Sequence, residues 1–236
     1  MNNSELHAAL SAILSPAEIL NDADELLIDQ RGRYTGCADM IVQPHSVGKV
    51  QELMRFCFDN HIAVTPQGGN TGLCGAAVPN GGILLNLSKL NRIREINLAD
   101  QAITVDAGCI LQNVQSAAAA VGRLFPLSLA SEGSCQIGGN IACNAGGLNV
   151  LRYGTMRDLV LGLEVVLPNG ELMSHLAPLH KNTTGYDLRH LLIGSEGTLG
   201  IITGATLKLF AQPQTIETAW VGVNTIGQAV ELLTLI

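Results

Sequence analysis

The stretch Thr65-Pro66-Gln67-Gly68-Gly69-Asn70-Thr71-Gly72-Leu73-Cys74-Gly75 follows directly on a short apolar run, Ile62 to Thr65. Consecutive glycines after a strand allow several backbone N–H groups to point into one concavity, a nest for an anion. Gly68 and Gly69 carry no Cβ to obstruct a close-lying pyrophosphate. Asn70 and Thr71 add side chains that hydrogen-bond. No Gly-Lys-Ser/Thr follows, so a lysine-bearing phosphate loop is excluded, and the spacing does not fit Gly-x-Gly-x-x-Gly. On composition alone, a plain glycine-rich turn between two elements is an equal alternative.

A second stretch is Ser131-Glu132-Gly133-Ser134-Cys135-Gln136-Ile137-Gly138-Gly139-Asn140-Ile141-Ala142-Cys143-Asn144-Ala145-Gly146-Gly147. It mixes glycine with small and amide side chains and shows neither a helical nor a strand period. Such a run suits a surface laid flat against a planar ligand, its amides and hydroxyls bonding ring heteroatoms and the chain between ring and phosphate. A small-residue loop packed on a sheet is the alternative, and the presence of two such segments weighs against it. A third stretch joins Asn182-Thr183-Thr184-Gly185-Tyr186-Asp187-Leu188 to Ile193-Gly194-Ser195-Glu196-Gly197-Thr198-Leu199-Gly200-Ile201-Ile202-Thr203. Glu196, between glycines, is either exposed or tightly held, and it can accept bonds from backbone or a ribose. Ile201 and Ile202 can offer backbone groups to an adenine edge. Taken alone, this stretch reads as a turn and a strand.

Other chemistries find little support. The histidines His7, His45, His61, His175, His180 and His190 form no metal-ligand spacing, and no Gly-x-Ser-x-Gly elbow is present. Six cysteines contain no Cys-x-x-Cys pair, which reads as reduced thiols in a cytoplasmic protein. The net charge of −7 and the scatter of Lys and Arg exclude a nucleic-acid surface. A bound phosphate must therefore be neutralised locally, by backbone N–H groups. No membrane span is legible, because the long uncharged stretch from Gly133 to Leu151 is crowded with Gly, Asn, Ser and Gln.

The elements that must position these loops follow from periodicity. Met1 to Leu27 predicts one or two helices, with Ser15 as N-cap and Pro16 at the first helical position. Asp39 to Gln43 predicts a strand. Ser46 to His61 predicts a helix with Val47, Val50, Leu53, Met54 and Cys57 on one face. Strands follow at Ile62 to Thr65, Ile83 to Asn86 and Ile103 to Val105, completing a small α/β unit. Leu111 to Val121 predicts a helix, and Pro168-Asn169-Gly170 turns a hairpin between Val160 to Leu167 and Glu171 to Ser174. Gly200 to Leu209 and Glu217 to Val223 predict strands, and Ile226 to Ile236 an amphipathic helix. With 236 residues, 47% of them hydrophobic, a substantial core is expected.

The segments PQGGNTGLCG, GSCQIGGNIACNAGG, RYGTMRDLVLGLEVVLPNG and NTTGYDLRHLLIGSEGTLGIIT resemble the FAD-binding domain of the vanillyl-alcohol-oxidase-type flavoproteins. Within that superfamily the chain is most similar to the D-2-hydroxyglutarate and D-lactate dehydrogenases and to the glycolate oxidase FAD subunit. The resemblance implies an α+β, two-lobed FAD-binding domain of the PCMH type, a small α/β lobe beside a larger mixed or antiparallel sheet lobe with flanking helices. Residues 1–27 are then an N-terminal helical segment, 28–106 the first FAD-binding lobe, 107–212 the second, and 213–236 the start of a truncated C-terminal substrate domain.

It also implies an FAD between the lobes. Pro66, Gly68, Gly69, Asn70, Thr71 and Gly72 would cradle the pyrophosphate. Gly133, Ser134 and Cys135, with Gly138, Gly139, Asn140, Ala142, Asn144, Ala145 and Gly146, would run along isoalloxazine, ribityl and phosphates. Glu196, Gly197, Ile201 and Ile202 would line the adenosine and pyrophosphate end. Relatives that attach FAD covalently often carry His where this chain has Asn70, so a non-covalent flavin is expected. No catalytic or metal-ligating residue is assigned here, since relatives carry both in the half that follows, and the chain alone is expected to be inactive. The partners expected are a 2-hydroxy acid and an electron acceptor of unspecified identity, with a peripheral place at the membrane through that acceptor left open. A non-catalytic flavin-binding subunit, and a phosphate-binding protein without flavin, are the alternatives.

Overall fold

The computed structural model describes residues 2–235. Met1 and Ile236, the ends of the two terminal helices expected above, lie outside the described residues. The chain opens with α1 (Asn3–Ile13), β1 (Ile19–Leu20), β2 (Met40–Val42), α2 (Val47–Asp59), β3 (Val64–Gln67) and β4 (Ile83–Asn86). It continues through β5 (Ile93–Asn97), β6 (Ala102–Asp106), α3 (Leu111–Ala120), β7 (Arg123–Leu124), α4 (Ile137–Ala142), α5 (Val150–Tyr153) and α6 (Met156–Leu159). The last elements are β8 (Val160–Val166), β9 (Leu172–His175), α7 (Arg189–Leu192), β10 (Ile201–Lys208), β11 (Phe210–Ala211) and α8 (Ile226–Leu235). None of these helices is long and apolar enough to cross a membrane.

The first sheet has the order β1-β2-β4-β3, with β4 parallel to both of its neighbours and β1 antiparallel to β2. Every residue of β4 is buried, as a central parallel strand covered on both faces requires. Helix α2 starts on a Ser46 cap and buries Val50, Leu53, Met54 and Cys57 against the sheet, the stripe its 3.6-residue period dictates. Leu6 and Leu10 of α1, with Leu14, join this core. The second sheet is antiparallel, β5-β6-β10-β8-β9, and its core takes in α3, α4 and α6. Val166 and Ile201 of the second sheet pack into the first core, and Gln51 of α2 donates to the Gly170 carbonyl in the β8–β9 turn. The two layers are interlocked.

Four expectations need correction. Ser15 and Glu18 form a capping box, but the helix stops after one 3₁₀ turn, Pro16–Glu18. Ile19 and Leu20 then pair with Val42 and Ile41, so the N-terminal segment supplies an edge strand to the first sheet. Ile103 to Val105 belongs to the second sheet, because β6 pairs with β5 and β10. The Gly133 to Gly147 stretch is not wholly irregular. Ile137 and Ile141, four residues apart and fully buried, anchor the short helix α4, tertiary burial outweighing the poor helix propensity of Gly138 and Gly139. Glu217 to Val223 forms no strand; it is exposed throughout and pairs with no strand among the described residues.

Candidate cofactor site

Pro66 and Gln67 end β3, and the chain beyond them leaves the sheet as an open loop. A chain of buried amides holds the base of that loop. Gln67 donates to the Leu26 and Ala77 carbonyls, and its oxygen accepts from Asn86. Asn86 also donates to the Gly68 carbonyl and accepts from Gln43. Asn70 sits at φ +50°, a conformation asparagine tolerates better than most residues, and its side chain donates to the Ile28 carbonyl at 2.7 Å. With the loop so fixed, none of the backbone N–H groups of residues 69–77 donates to another protein group among the described residues. Backbone N–H groups free of protein partners can bind an anion without a charged side chain.

The three stretches singled out in the sequence touch one another. A methyl group built on Gly69 would stand 2.1 Å from the Ser134 carbonyl oxygen and 3.2 Å from the Cys135 Cα. One built on Gly197, at φ +78°, would run into the Pro66 ring. The Gly194 and Glu196 N–H groups donate to the Ile141 and Ala142 carbonyls at 3.1 and 3.0 Å. These glycines are close-approach residues that bring first, second and third stretch together.

Where they meet is a cavity of about 420 Å³, within the size range of cofactor sites. Its walls include Pro66, Gly68, Gly69, Asn70, Thr71 and Gly72 from the first stretch and Gly138, Gly139, Asn140, Ala142 and Ala145 from the second. Glu196, Gly197, Ile201 and Ile202 come from the third. Methyl groups built on Gly72 and Gly139 would meet no protein atom within 4 Å. These two glycines face open space on the cavity wall, not a neighbouring loop.

Gly133, Ser134, Cys135, Asn144 and Gly146 do not line the cavity. Cys135 is in the core of the second sheet, the Ser134 hydroxyl donates to the Ser131 carbonyl, and Asn144 accepts from the Arg157 N–H at 2.9 Å. A methyl on Gly133 would approach Gln112, and one on Gly146 would crowd Val150. Gln67, Gln136 and Cys143, which lie in the first two stretches but were not named as contacts, also line the cavity, and Leu87, Ala107 and Leu129 line it from outside all three stretches. The cue for Gln136 is its size, a long amide set among small residues. Ala107 had no such cue, because what brings it here is pairing in the second sheet.

Ala107 is placed by an ion cluster behind the cavity. Buried Asp106 accepts from Arg92 and from Arg94, the latter at 2.5 Å, and Arg94 reaches Glu164 at 2.7 Å. Burial alone would lower the Arg94 pKa, but its bonds to Glu164 and Asp106 outweigh that and raise it. Thr203 donates to Glu164, so β5, β6, β8 and β10 are cross-tied. The Ala107 carbonyl then accepts the Gly138 N–H at 2.7 Å, carrying that rigidity to the α4 wall. Six cysteines are free. Cys143 is exposed at the cavity wall, and its thiol is pushed upward, first by partial loss of hydration beside the wall and then by Glu196 and Cys74; a protonated thiol is a poor nucleophile.

The family model described as "FAD binding domain" matches residues 38–175. The D-2-hydroxyglutarate–pyruvate transhydrogenase of Saccharomyces cerevisiae is 41% identical, over 98% of this chain and 48% of its own length. The mitochondrial D-2-hydroxyglutarate dehydrogenase of Danio rerio is 40% identical, over 92% of this chain and 42% of its own. The D-2-hydroxyglutarate dehydrogenase of Xanthomonas citri pv. viticola is 48% identical, over 78% and 39%. The chain thus spans about half the length of the curated relatives it matches. Among solved structures, an alkyldihydroxyacetonephosphate synthase aligns with a TM-score of 0.79 at 23% identity, over 90% of this chain and 41% of that one, a likeness of fold.

Proposed function

Because the chain belongs to the FAD binding domain family, we propose that it holds the flavin of an oxidoreductase acting on a D-2-hydroxy acid of the D-2-hydroxyglutarate, D-lactate or glycolate class. Its cofactor is FAD. When bound, FAD supplies the hydride acceptor, flavin N5, for the substrate Cα hydrogen. The observation that carries the reading is the cavity where three glycine-bearing stretches meet, with unpaired N–H donors along residues 69–77 and open space at Gly72 and Gly139.

The residues divide the work by position. Gly68 to Gly72 present backbone donors to the pyrophosphate, compensating a chain whose net charge repels it, and Pro66, which has no N–H, flanks them on the same wall. Gly138, Gly139, Asn140, Ala142 and Ala145 form the flat wall for the ring and ribityl chain. Glu196, Gly197, Ile201 and Ile202 meet the adenosine end. Gly133, Ser134, Cys135, Asn144 and Gly146 act from behind the wall. The flavin is non-covalent, a reading supported by Asn70, whose amide is engaged with the Ile28 carbonyl. The whole protein takes the hydroxy acid and passes electrons to an acceptor. A cytoplasmic place, or a peripheral one beside that acceptor, goes with six unpaired thiols, although several relatives carry "mitochondrial" in their names.

The test is direct. Protein purified with excess FAD is expected to retain a flavin absorbance spectrum and to quench flavin fluorescence; a colourless protein that leaves free FAD fluorescence unchanged overturns the cofactor site. Whole protein mixed with D-2-hydroxyglutarate, D-lactate and glycolate is expected to bleach its flavin with one of them. Bleaching by none overturns the substrate class.

A further inference from the structure

We propose that Gln136 is a cofactor-positioning residue whose carboxamide binds a ribityl hydroxyl of the flavin, an inference that rests on the FAD reading above. Gln136 precedes α4 and is 8% exposed, on the cavity wall. Its Oε1 and the Arg123 Nε are the two buried side-chain polar atoms without a hydrogen-bond partner among the described residues. Arg123 lies in β7, outside the cavity lining. The contrast with neighbouring amides is sharp, since Gln67 and Asn86 at the base of the adjacent loop have both ends of their carboxamides paired. A buried amide oxygen left unpaired is costly, and it calls for a partner that the protein itself does not supply, a water or a ligand.

The surroundings allow that completion. A methyl built on Gly68 would stand 3.4 Å from Oε1, and one on Gly139 would meet nothing within 4 Å. The amide therefore lies between the first loop and α4, with free space beside Gly139 into which it can turn. Oε1 needs a donor. Pyrophosphate oxygens only accept, so they cannot satisfy it, whereas a hydroxyl both donates and accepts and suits either end of a carboxamide. In FAD the hydroxyls next to the pyrophosphate on the ring side are those of the ribityl chain, and Gln136 is next to the loop that presents donors to the pyrophosphate.

Gln136→Leu shortens the side chain by one atom, keeps it branched and bulky, and removes both polar atoms. The variant is expected to bind FAD about tenfold more weakly, the loss of one good hydrogen bond. ADP, which has the pyrophosphate but neither ribityl chain nor ring, is expected to compete for both proteins with the same constant. The cofactor-free variant is expected to melt at the same temperature as the unaltered protein or higher, because its unpaired acceptor is gone. Unchanged FAD affinity overturns the proposal. So does an equal weakening of FAD and ADP, or a loss of FAD affinity that merely follows a drop in melting temperature. If the unaltered protein binds no FAD, the underlying reading falls and this inference falls with it.

Discussion

Two glycines in the site should respond to alanine in opposite senses, and the comparison tests whether space in the cavity belongs to a ligand. Gly139 lies in α4 with no protein atom within 4 Å of an added methyl. Gly139→Ala removes backbone entropy from the unfolded chain at no steric cost, which stabilises by about 0.4–1 kcal/mol. For a chain of this size that raises the melting temperature of the cofactor-free protein by about 1–4 °C. The same methyl projects into the cavity, so FAD affinity is expected to fall by about tenfold or more, the effect of a clash worth roughly 1.4 kcal/mol. At Gly69 the methyl would lie 2.1 Å from the Ser134 carbonyl oxygen, with two more backbone atoms at 3.1 and 3.2 Å. Relief needs the two loops to separate by about 1.4 Å, since non-bonded contacts settle near 3.5 Å. Overpacking of this kind costs about 1–3 kcal/mol, lowering the melting temperature by about 2–12 °C. Thermal denaturation without flavin, followed by FAD titration with fluorescence quenching, reads both quantities. A Gly139→Ala variant that binds FAD as tightly as the unaltered protein refutes a ligand beside that glycine. A Gly69→Ala variant of undiminished stability refutes the loop contact.

Acid precipitation is expected to release all flavin to the supernatant, and Asn70→Ala to weaken FAD binding severalfold by freeing the loop from Ile28; flavin retained in the pellet contradicts the non-covalent reading. Arg94→Met leaves buried Asp106 and Glu164 without their shared partner, a loss of about 3–5 kcal/mol measurable by urea denaturation, and a loss under about 1 kcal/mol counts against the ion cluster as a structural tie. Burial would raise the Glu18 pKa, but bonds from Lys49, Ser15 and the His45 N–H hold it well below its ordinary 4.5. A depressed folded-state pKa contributes stability that is present above 4.5 and lost as the pH falls below it. Glu18→Gln should therefore lower stability at pH 7 and flatten the decline on acidification, and parallel pH–stability curves for the two proteins would show that Glu18 contributes nothing of the kind.

The amino-acid sequence by itself determined what is local. The period of Val50, Leu53, Met54 and Cys57 specified α2, the Pro168-Asn169-Gly170 turn specified the β8–β9 hairpin, and the glycine-rich stretches announced close backbone approach. Local chemistry suffices for these because a helical stripe, a tight turn and a missing Cβ act over a few residues. Tertiary structure decided whatever depends on partners distant in the chain. It placed Ile103 to Val105 in the second sheet, since a strand's identity lies in its neighbours, here β5 and β10. It made a helix of Ile137 to Ala142, whose glycines oppose one until both isoleucines are buried. It left Glu217 to Val223 unpaired among the described residues, because a segment of strand-forming residues becomes a strand only beside another. The glycines themselves look alike in the sequence. Only the fold separates Gly69 and Gly197, which let one loop lie against another, from Gly72 and Gly139, which face open space, because that distinction depends on what stands opposite the missing methyl.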